Sequence, residues 1–463
     1  MPSRVRPAGR RYLVIVSLVK TANVMTNVGL SHLELHEAWP LLSAADRVEG
    51  FTMLSREESE ELFDILDARE QSELILALLA GQRRIWMRLL APDDAADVIQ
   101  ETEEDEDRAR LLDLLDEPTR KEVLALLAYA EDEAGGLMNP RYARLRPDMT
   151  VGAAISYLRR QTPDDIENID YPYVLDGQQH LLGVVSLPEL VSASGGKRVS
   201  DLMDPDVIAV REQMDQEAVS NLFAEHDLVV MPVVDDEGRV KGIVTVDDIV
   251  DVVREEATED MHKIGGTEAL DAPYLQVDLL EMLKKRGGWL AALVLLGFLS
   301  VLAMRSFEAQ LERAVVLTLF LPLIISSGGN SGAQAATLVV RAMALDEVRL
   351  RDWWRVIRRE LVVGVIIGST LGLIGLITAT VFLRIIDDSD AAHVFPVALT
   401  VGFSILGVAL WGTLAGSMLP FLLRRCGFDP ASASAPLVAT LVDASGLVIY
   451  LSIAGVVLRD MTP

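Results

Sequence analysis

The last 180 residues of the chain alternate long apolar runs with short charged loops. An α-helix needs about 20 predominantly apolar residues to cross a bilayer, and five runs reach that length, at residues 287–307, 313–338, 358–384, 393–423 and 434–458. Within lipid, only helices and closed barrels satisfy their own backbone hydrogen bonds. The sequence therefore predicts a five-helix transmembrane domain over residues 286–463.

The loops between these runs indicate which way the domain is inserted, because basic loops remain in the cytoplasm. Basic residues precede the first run, separate the second from the third and follow the fourth: Lys284, Lys285, Arg286, Arg341, Arg349, Arg351, Arg355, Arg358, Arg359, Arg424 and Arg425. The loop after the third run is acidic. We therefore expect the N-terminal part of the chain in the cytoplasm and the C-terminus outside.

The excess negative charge of the chain lies entirely before the membrane part. Residues 1–283 hold 57 Asp and Glu against 27 Lys and Arg, whereas residues 284–463 hold 12 against 15. Such an acidic part leaves no basic face for neutralising phosphates, which argues against nucleic acid as a partner. It permits cation binding, although acidic solvated helices are common.

Cysteine and histidine restrict the kind of metal that the chain could use. Cys426 is the only cysteine, and the six histidines form no HExxH motif of the kind that zinc sites use. A metal that acts here should therefore be a hard ion that accepts oxygen ligands.

The acidic part divides into two predicted domains. In residues 31–130 apolar positions recur at helical spacing, with a capping box at Ser55 and Glu58 and a helix start at Pro92, and these features predict a helical superhelix. Residues 1–30 have a basic start and an apolar run too short for a typical signal peptide, and we assign them no role.

Residues 131–260 repeat themselves at a spacing of about sixty residues. The segment that starts at Met138 is echoed from Met203, and GVVSLPELV from Gly183 is echoed by GIVTVDDIV from Gly242. Strand–turn–strand–helix units in this order are similar to a tandem pair of CBS motifs, a regulatory α+β module found on unrelated proteins. Residues 261–285 then predict a helix that connects this pair to the membrane.

Asp443 lies inside the fifth apolar run, where a carboxylate costs about 2.5–3.5 kcal/mol to insert. It needs an ion, a water-filled cavity or a partner; the alternative is a structural aspartate that is protonated or hydrogen-bonded. In the second run, Gly328 and Gly329 are expected to loosen the helix and to free carbonyl groups beside Asn330. One acid among several neutral oxygens suits Mg²⁺, which usually keeps several of its waters.

A third polar feature lies before the membrane part. Carboxylates recur at steps of three and four from Asp247 to Asp260 on one predicted helix, and such like charges repel one another. Divalent cations would relieve this repulsion, especially if the stripe faced a second acidic surface at 93–97 or 215–227. A solvated acidic face is the alternative, and the residues alone leave it open.

Together these parts resemble the MgtE family of magnesium channels and transporters. The resemblance covers nearly the whole chain and is carried by AGGLM at 134–138, the CBS pair, VDDIVDVVREEATEDMHKIGG at 246–266, SSGGNSGAQAATLVVRA at 326–342 and PLVATLVDASGLVIY at 436–450. It implies a homodimer in the bacterial inner membrane, with a pore between subunits and Asp443, Asn330, Gly328 and Gly329 near the pore ion.

The resemblance also implies regulation by cytosolic Mg²⁺. The matching positions for regulatory ions are Asp93 or Asp94, Asp97, Asp215, Glu217, Asp227, Asp248, Asp251, Glu256, Glu259 and Asp260. Bound ions would hold the connecting helix, called the plug helix in the family, and close the pore. Thr245 and Asp248 match adenine-nucleotide positions of CBS pairs, so ATP is a second implied ligand, and Asp248 is open to both interpretations.

The resulting hypothesis is a Mg²⁺ channel that is closed by cytosolic Mg²⁺. A broader divalent-cation transporter for Co²⁺ or Mn²⁺, or a gradient-coupled exchanger, is the alternative, because oxygen ligands do not exclude those ions. An enzyme is not expected, since no nucleophile–base arrangement or phosphate-binding loop is found in the sequence.

Overall fold

The computed structural model describes residues 31–102, 104–161, 166–270, 274, 277–308, 315–345, 347–385 and 391–458. The N-terminal segment 1–30 lies outside the described residues. The chain forms two compact units, Met1–Arg254 and Glu255–Pro463.

The first unit begins with short helices, as the periodicity of residues 31–130 predicted. The hydroxyl of Ser55 accepts a hydrogen bond from the backbone N–H of Glu58, which completes the predicted capping box. Alternate helices pack together, and their apolar faces bury side chains such as Phe63 and Ile75. The helices are α1 (His32–Ala38), α2 (Ala44–Met53), α3 (Arg56–Ile65), α4 (Ala68–Ala77), α5 (Ala80–Met87), α6 (Pro92–Gln100), α7 (Asp105–Leu112) and α8 (Glu117–Leu126).

The predicted repeat forms two three-stranded sheets with the orders β1-β2-β3 and β4-β5-β6. In each sheet the first pair of strands is parallel and the second pair antiparallel. The elements are α9 (Ala134–Leu137), β1 (Tyr142–Leu145), α10 (Val151–Leu158), β2 (Asn168–Leu175), β3 (Leu181–Val184), α11 (Leu187–Ser192), β4 (Val210–Arg211), α12 (Gln216–His226), β5 (Val230–Val234) and β6 (Val240–Thr245).

The two repeats exchange segments across their shared boundary. Asn139, which precedes the first sheet, pairs with Ile243 on β6, and Asp204 of the second repeat pairs with Val184 on β3. The echoed glycines make room for these crossings: a Cβ on Gly242 would lie 2.8 Å from the carbonyl oxygen of Asn139. A Cβ on Gly183 would lie 2.6 Å from the equivalent oxygen of Asp204.

The connecting helix begins earlier than the sequence predicted. It is α13 (Val246–Ile264), which continues directly from β6, so the prediction of a helix over 261–285 is wrong. The helix ends at Gly265 and Gly266, and Gly266 has a φ of +75°, a conformation that favours glycine. The next helix starts only at Leu279, after the N-cap Asp278.

The second unit contains the five apolar helices that the sequence predicted. The stretch Val315–Ala344 begins with a short 3₁₀ helix, Val315–Phe320, before the α-helix starts. The helices of this unit are α14 (Leu279–Ser306), α15 (Leu321–Ala344), α16 (Trp353–Ile385), α17 (Ala391–Arg425) and α18 (Ala435–Val457).

Helix α15 is continuous through the glycines that were expected to loosen it, so the prediction of freed carbonyls is wrong. Its glycines instead allow α17 to approach closely. A Cβ on Gly412 would lie 2.2 Å from the carbonyl oxygen of Gly328, and a Cβ on Gly416 would lie 2.1 Å from that of Gly332. Small residues facing each other in this way are the usual means of tight helix packing in membranes.

Candidate functional site

Asp443 opens onto a cavity of about 520 Å³ inside the second unit. The residue lies eight positions into α18, which places it about 12 Å along the helix axis. The walls combine apolar side chains with a few polar groups and come from α14, α15 and α18: Met304, Leu321, Pro322, Ile325, Ser326, Gly329, Asn330, Ala439 and Asp443. The structure thus brings together the deep acid and the polar segment of the second run.

The glycine beside Asp443 leaves the carboxylate accessible. A Cβ on Gly329 would lie 3.3 Å from Oδ1 of Asp443, so a larger side chain here would crowd the acid. Asn330 donates a hydrogen bond from Nδ2 to Oγ of Ser326 at 3.3 Å, which leaves its carbonyl oxygen as an acceptor. Among the residues that the structure describes, no ion pair to Asp443 is found.

Gly328 has a different role from the one predicted. A Cβ on Gly328 would lie 2.4 Å from Cγ1 of Val408 and 3.0 Å from Cγ1 of Val442, so this face of α15 is packed against α17 and α18. The residue does not line the Asp443 cavity. Of the four predicted pore positions, the structure places Asp443, Asn330 and Gly329 together.

In the first unit, acids of α6 face acids at the start of α13. We call Asp93, Asp94, Asp97, Asp247, Asp248 and Asp251 the α6–α13 cluster. Asp93 interacts electrostatically with Asp248, and Asp94 with Asp247 and Asp251. Of the two acidic surfaces considered from the sequence, 93–97 and 215–227, the first is therefore the one near the start of the acidic stripe.

Burial makes the charged state of this cluster unfavourable. It is the main cause that raises the pKa of Asp97 to about 8 and that of Asp248 to about 7, and neighbouring acids add to both shifts. The pKa of Asp93, a residue only 6% exposed, is also well above its ordinary value, for the same reason. In the described ranges, no three acidic or histidine side chains converge closely enough to enclose an ion. The cluster nonetheless has the charge and the oxygen donors that a hydrated divalent cation would neutralise.

The raised pKa values predict a pH dependence in the absence of divalent cations. A carboxyl whose pKa is 3.8 unfolded and about 7 or 8 folded binds more protons in the folded state, so stability falls as the pH rises from about 4 to 8. In EDTA, we expect α6 and the start of α13 to lose protection from hydrogen exchange between pH 6 and pH 9. Mg²⁺ at pH 9 should restore it.

Hydrogen exchange of the full chain, corrected for the intrinsic rate, measures this effect. Helix α10 (Val151–Leu158) contains no acid and serves as the internal control. Protection of α6 that stays constant over this pH range would contradict the description of the cluster as electrostatically strained.

The predicted ligands at 215–227 lie on α12. Asp215 is the N-cap of this helix and accepts hydrogen bonds from the N–H groups of Glu217 and Ala218 at 3.0 and 3.4 Å. Asp227 ends the helix with a φ of +51°. Both acids therefore have a structural function in the fold, in addition to any part in cation binding.

The C-terminal part of α13 belongs to the second unit and carries another charged group. Lys263 forms ion pairs with Glu259 and with Asp429, the second at 2.6 Å. Burial, and then the charge of Asp429, raise the pKa of Asp260. Glu256 lies on the same segment, one turn before Asp260.

Sequence reasoning missed Asp429 and Lys263 in this group. Asp429 follows the fourth apolar run in the short loop CGFDP and looks there like an ordinary helix cap, which it also is: its carboxylate accepts a hydrogen bond from the N–H of Ala431 at 2.8 Å. The sequence feature that could have identified Asp429 is an acid at a helix start directly after a membrane span.

Thr245 and Asp248 lie together, as the predicted nucleotide site requires. The hydroxyl of Thr245 donates to Oδ2 of Asp248 at 2.9 Å, and its backbone N–H approaches the same oxygen at 3.3 Å. Because Asp248 also belongs to the α6–α13 cluster, a nucleotide and a cation would use the same side chain.

Family models match three separate parts of the chain, and these parts correspond to the helical domain, the CBS pair and the apolar helices. Residues 321–453 match the model named MgtE, a divalent cation transporter, and residues 32–132 match the MgtE intracellular N domain. Residues 134–196 and 199–255 match the CBS domain.

Individual relatives cover most of the chain. The magnesium transporter MgtE of Thermus thermophilus is 42% identical over 92% of this chain and 93% of its own length. The magnesium transporter MgtE of Enterococcus faecalis is 32% identical over 73% of this chain and 72% of its own length. A crystal structure of the cytosolic domain of the Mg²⁺ channel MgtE in complex with ATP is 40% identical, covers 51% of this chain and 94% of that one, and has a TM-score of 0.46.

Proposed function

Because the chain belongs to the MgtE family of magnesium transporters, as its motifs predicted, we propose that it is a Mg²⁺ channel that is closed by cytosolic Mg²⁺. It would mediate magnesium uptake across the bacterial inner membrane, with the N-terminal domains in the cytoplasm and the C-terminus outside. The observation that carries the proposal is the carboxylate of Asp443, which faces a cavity among membrane helices that also contains Asn330 and Ser326.

The cavity chemistry favours an ion that keeps its water. Asp443 supplies one negative charge, and the carbonyl oxygen of Asn330 and the hydroxyl of Ser326 supply neutral acceptors. Mg²⁺ loses its water reluctantly and is usually bound through one or two carboxylates. A ring of many bare charges would hold the ion too tightly for it to leave.

One Asp443 per chain also supports a homodimer. Two chains would place two carboxylates around one hydrated cation and neutralise its charge. The cavity walls already come from three helices of one chain, so the second copy would complete the pathway on the open side of Asp443.

The acidic groups of the cytosolic part supply the proposed gate. The α6–α13 cluster and the group around Asp260 and Asp429 contain carboxylates whose charged form is disfavoured by burial. Ions bound there would stabilise the arrangement in which these carboxylates lie close together. Because an inhibitor must bind more tightly to the closed channel than to the open one, inhibition by Mg²⁺ requires that this arrangement belong to the closed channel. Asp215, Glu217, Asp227, Asp251, Glu256 and Glu259 remain proposed participants.

An adenine nucleotide is a proposed second ligand of the CBS pair. Thr245 offers a hydroxyl and Asp248 a carboxylate at the end of β6, as a ribose requires. Mg²⁺ and ATP would then influence each other through Asp248.

The proposal is tested by dye-reported ion flux into liposomes that contain the purified chain. We expect Mg²⁺ influx far above that of empty liposomes, and a decrease when Mg²⁺ is raised on the side of the cytosolic domains. Equal concentrations of Mn²⁺ or Co²⁺ should reduce Mg²⁺ influx by less than about half, because a site that binds the ion through its water shell favours Mg²⁺, which loses water reluctantly. Equal transport of all three ions would favour the broad divalent transporter, and dependence on a proton or sodium gradient would favour an exchanger.

A further inference from the structure

Asn139 is fully buried where the helical domain meets both CBS repeats. Its backbone donates to the carbonyl oxygen of Ile243 at 2.7 Å and accepts from the N–H of Ile243 at 2.9 Å. Its side-chain oxygen accepts from the N–H of Arg141 at 2.9 Å. These contacts fix the segment before β1 in place on β6.

The second repeat shows which of these contacts the fold needs. Asp204 is the equivalent residue, in MDP at 203–205 against MNP at 138–140, and its backbone pairs with that of Val184 in the same way, at 2.9 Å in both directions. Oδ1 of Asp204 accepts from the N–H of Asp206 at 2.9 Å. A carboxylate therefore performs the local function, and the amide N–H₂ group of Asn139 is not required for it.

The amide group of Asn139 is directed to two acids instead. Nδ2 donates to Oδ1 of Asp93 on α6 and to Oε2 of Glu167, just before β2, both at 3.0 Å. Hydrogen bonds from an amide to carboxylates are stronger than those between neutral groups. Asp93 is only 6% exposed, and leaving a buried carboxyl group without a hydrogen-bond partner is costly, so the amide of Asn139 satisfies a group that needs one.

We propose that Asn139 is a cation-independent bridge that holds the helical domain on the CBS pair, through Asp93 on one side and Glu167 on the other. The contact exists only when α6 lies against the CBS pair, so it stabilises that arrangement before any ion binds. The bridge therefore determines how much of the protein has α6 against the CBS pair before cations bind. The effect of this bridge on flux rests on the proposed regulation by Mg²⁺, whereas the existence of the bridge does not depend on that proposal.

The test is Asn139→Asp, which retains the acceptor that the fold uses and removes both donors. Three carboxylates would then face one another, and we expect α6 of the full chain in EDTA to exchange amide hydrogen about tenfold faster, as the loss of charge-assisted bonds predicts. Saturating Mg²⁺ should remove the difference. Asp204→Asn, the reverse change at the equivalent position, is the matched control and should leave exchange unchanged.

A reciprocal exchange separates the bridge from simple damage to the fold. In Asn139→Asp/Asp93→Asn the donor and the acceptor on α6 change places, so a hydrogen bond between positions 93 and 139 can form again, and we expect protection of α6 without Mg²⁺ to return to within about twofold of wild type. Unchanged exchange in Asn139→Asp, or failure of the exchanged pair to restore it, would overturn the proposal. If Mg²⁺ did not inhibit flux at all, the proposed gating would be wrong. The hydrogen-exchange result would still show whether the bridge through Asn139 exists.

Discussion

Asp443→Asn is expected to reduce Mg²⁺ influx into liposomes by about 100-fold, which corresponds to a loss of about 2.7 kcal/mol. The substitution preserves the size of the side chain and its place beside Gly329, where a Cβ would lie 3.3 Å from the acid. What it removes is the negative charge on the α18 side of the cavity, and without that charge only neutral acceptors attract the hydrated Mg²⁺.

The control for this variant is Ser452→Ala on the same helix. Ser452 is exposed, and its hydroxyl donates to the carbonyl of Val448 within α18, at 2.7 Å. Both variants should be purified in the same oligomeric state, and only Asp443→Asn should lose flux. Normal influx through Asp443→Asn would show that the ion passes elsewhere and would remove the observation on which the proposed function rests.

The position of Asp443 beside Asn330 could be predicted because both residues are conspicuous in apolar runs. A carboxylate in a membrane helix needs a polar environment, and the second run contained the nearest concentration of polar groups. In the structure the two residues line one cavity, and their part in ion binding remains a proposal.

The state of the Gly328–Gly329 helix could not be predicted in the same way. Glycine can loosen a helix or admit a close neighbour, and the choice depends on the partner. Here the partners are Gly412 and Gly416, about eighty residues later in the chain, whose lack of a Cβ becomes informative only when α15 and α17 are packed together.

The cytosolic acids illustrate a similar limit. Their spacing predicted a repelling stripe on one helix, but not which part of the stripe faces which surface. The structure shows that Asp248 meets the acids of α6, whereas Glu259 pairs with Lys263 beside Asp429. Asn139 and Glu167 belong to no motif or charge repeat that the sequence makes visible. Their role depends on contact with Asp93, which lies 46 residues before Asn139 in sequence.

The cation gate predicts that Asp97→Asn/Asp248→Asn conducts at both low and high cytosolic Mg²⁺. An effector can shift an equilibrium only by its difference in affinity for the two states. Both substituted carboxylates lie in the α6–α13 cluster, on opposite sides of the contact between α6 and α13, and both have raised pKa values because of burial. Without them, Mg²⁺ loses the charges that would make it prefer the compact arrangement.

The measurement is Mg²⁺ influx at two concentrations of Mg²⁺ on the cytosolic side. Wild-type flux should fall at the higher concentration, and flux through the double variant should change by less than about twofold, below the range typical of allosteric coupling. The control is Asp105→Asn/Asp148→Asn, which makes the same change in net charge at two exposed acids of the same domains, with side-chain exposures of 100% and 65%. It should remain inhibited.

These variants distinguish a cation site from a general effect of charge. Inhibition that persists in Asp97→Asn/Asp248→Asn would show that these two acids do not bind the regulatory ion, and the gate would then have to lie in the group around Asp260 and Asp429. Loss of inhibition in both double variants would instead indicate that overall charge, and not the contact between α6 and α13, controls the response. Selective loss in the clustered pair would support an ion held between the helical domain and the CBS pair, because the buried carboxylates there lie on separate elements and would share one counter-charge.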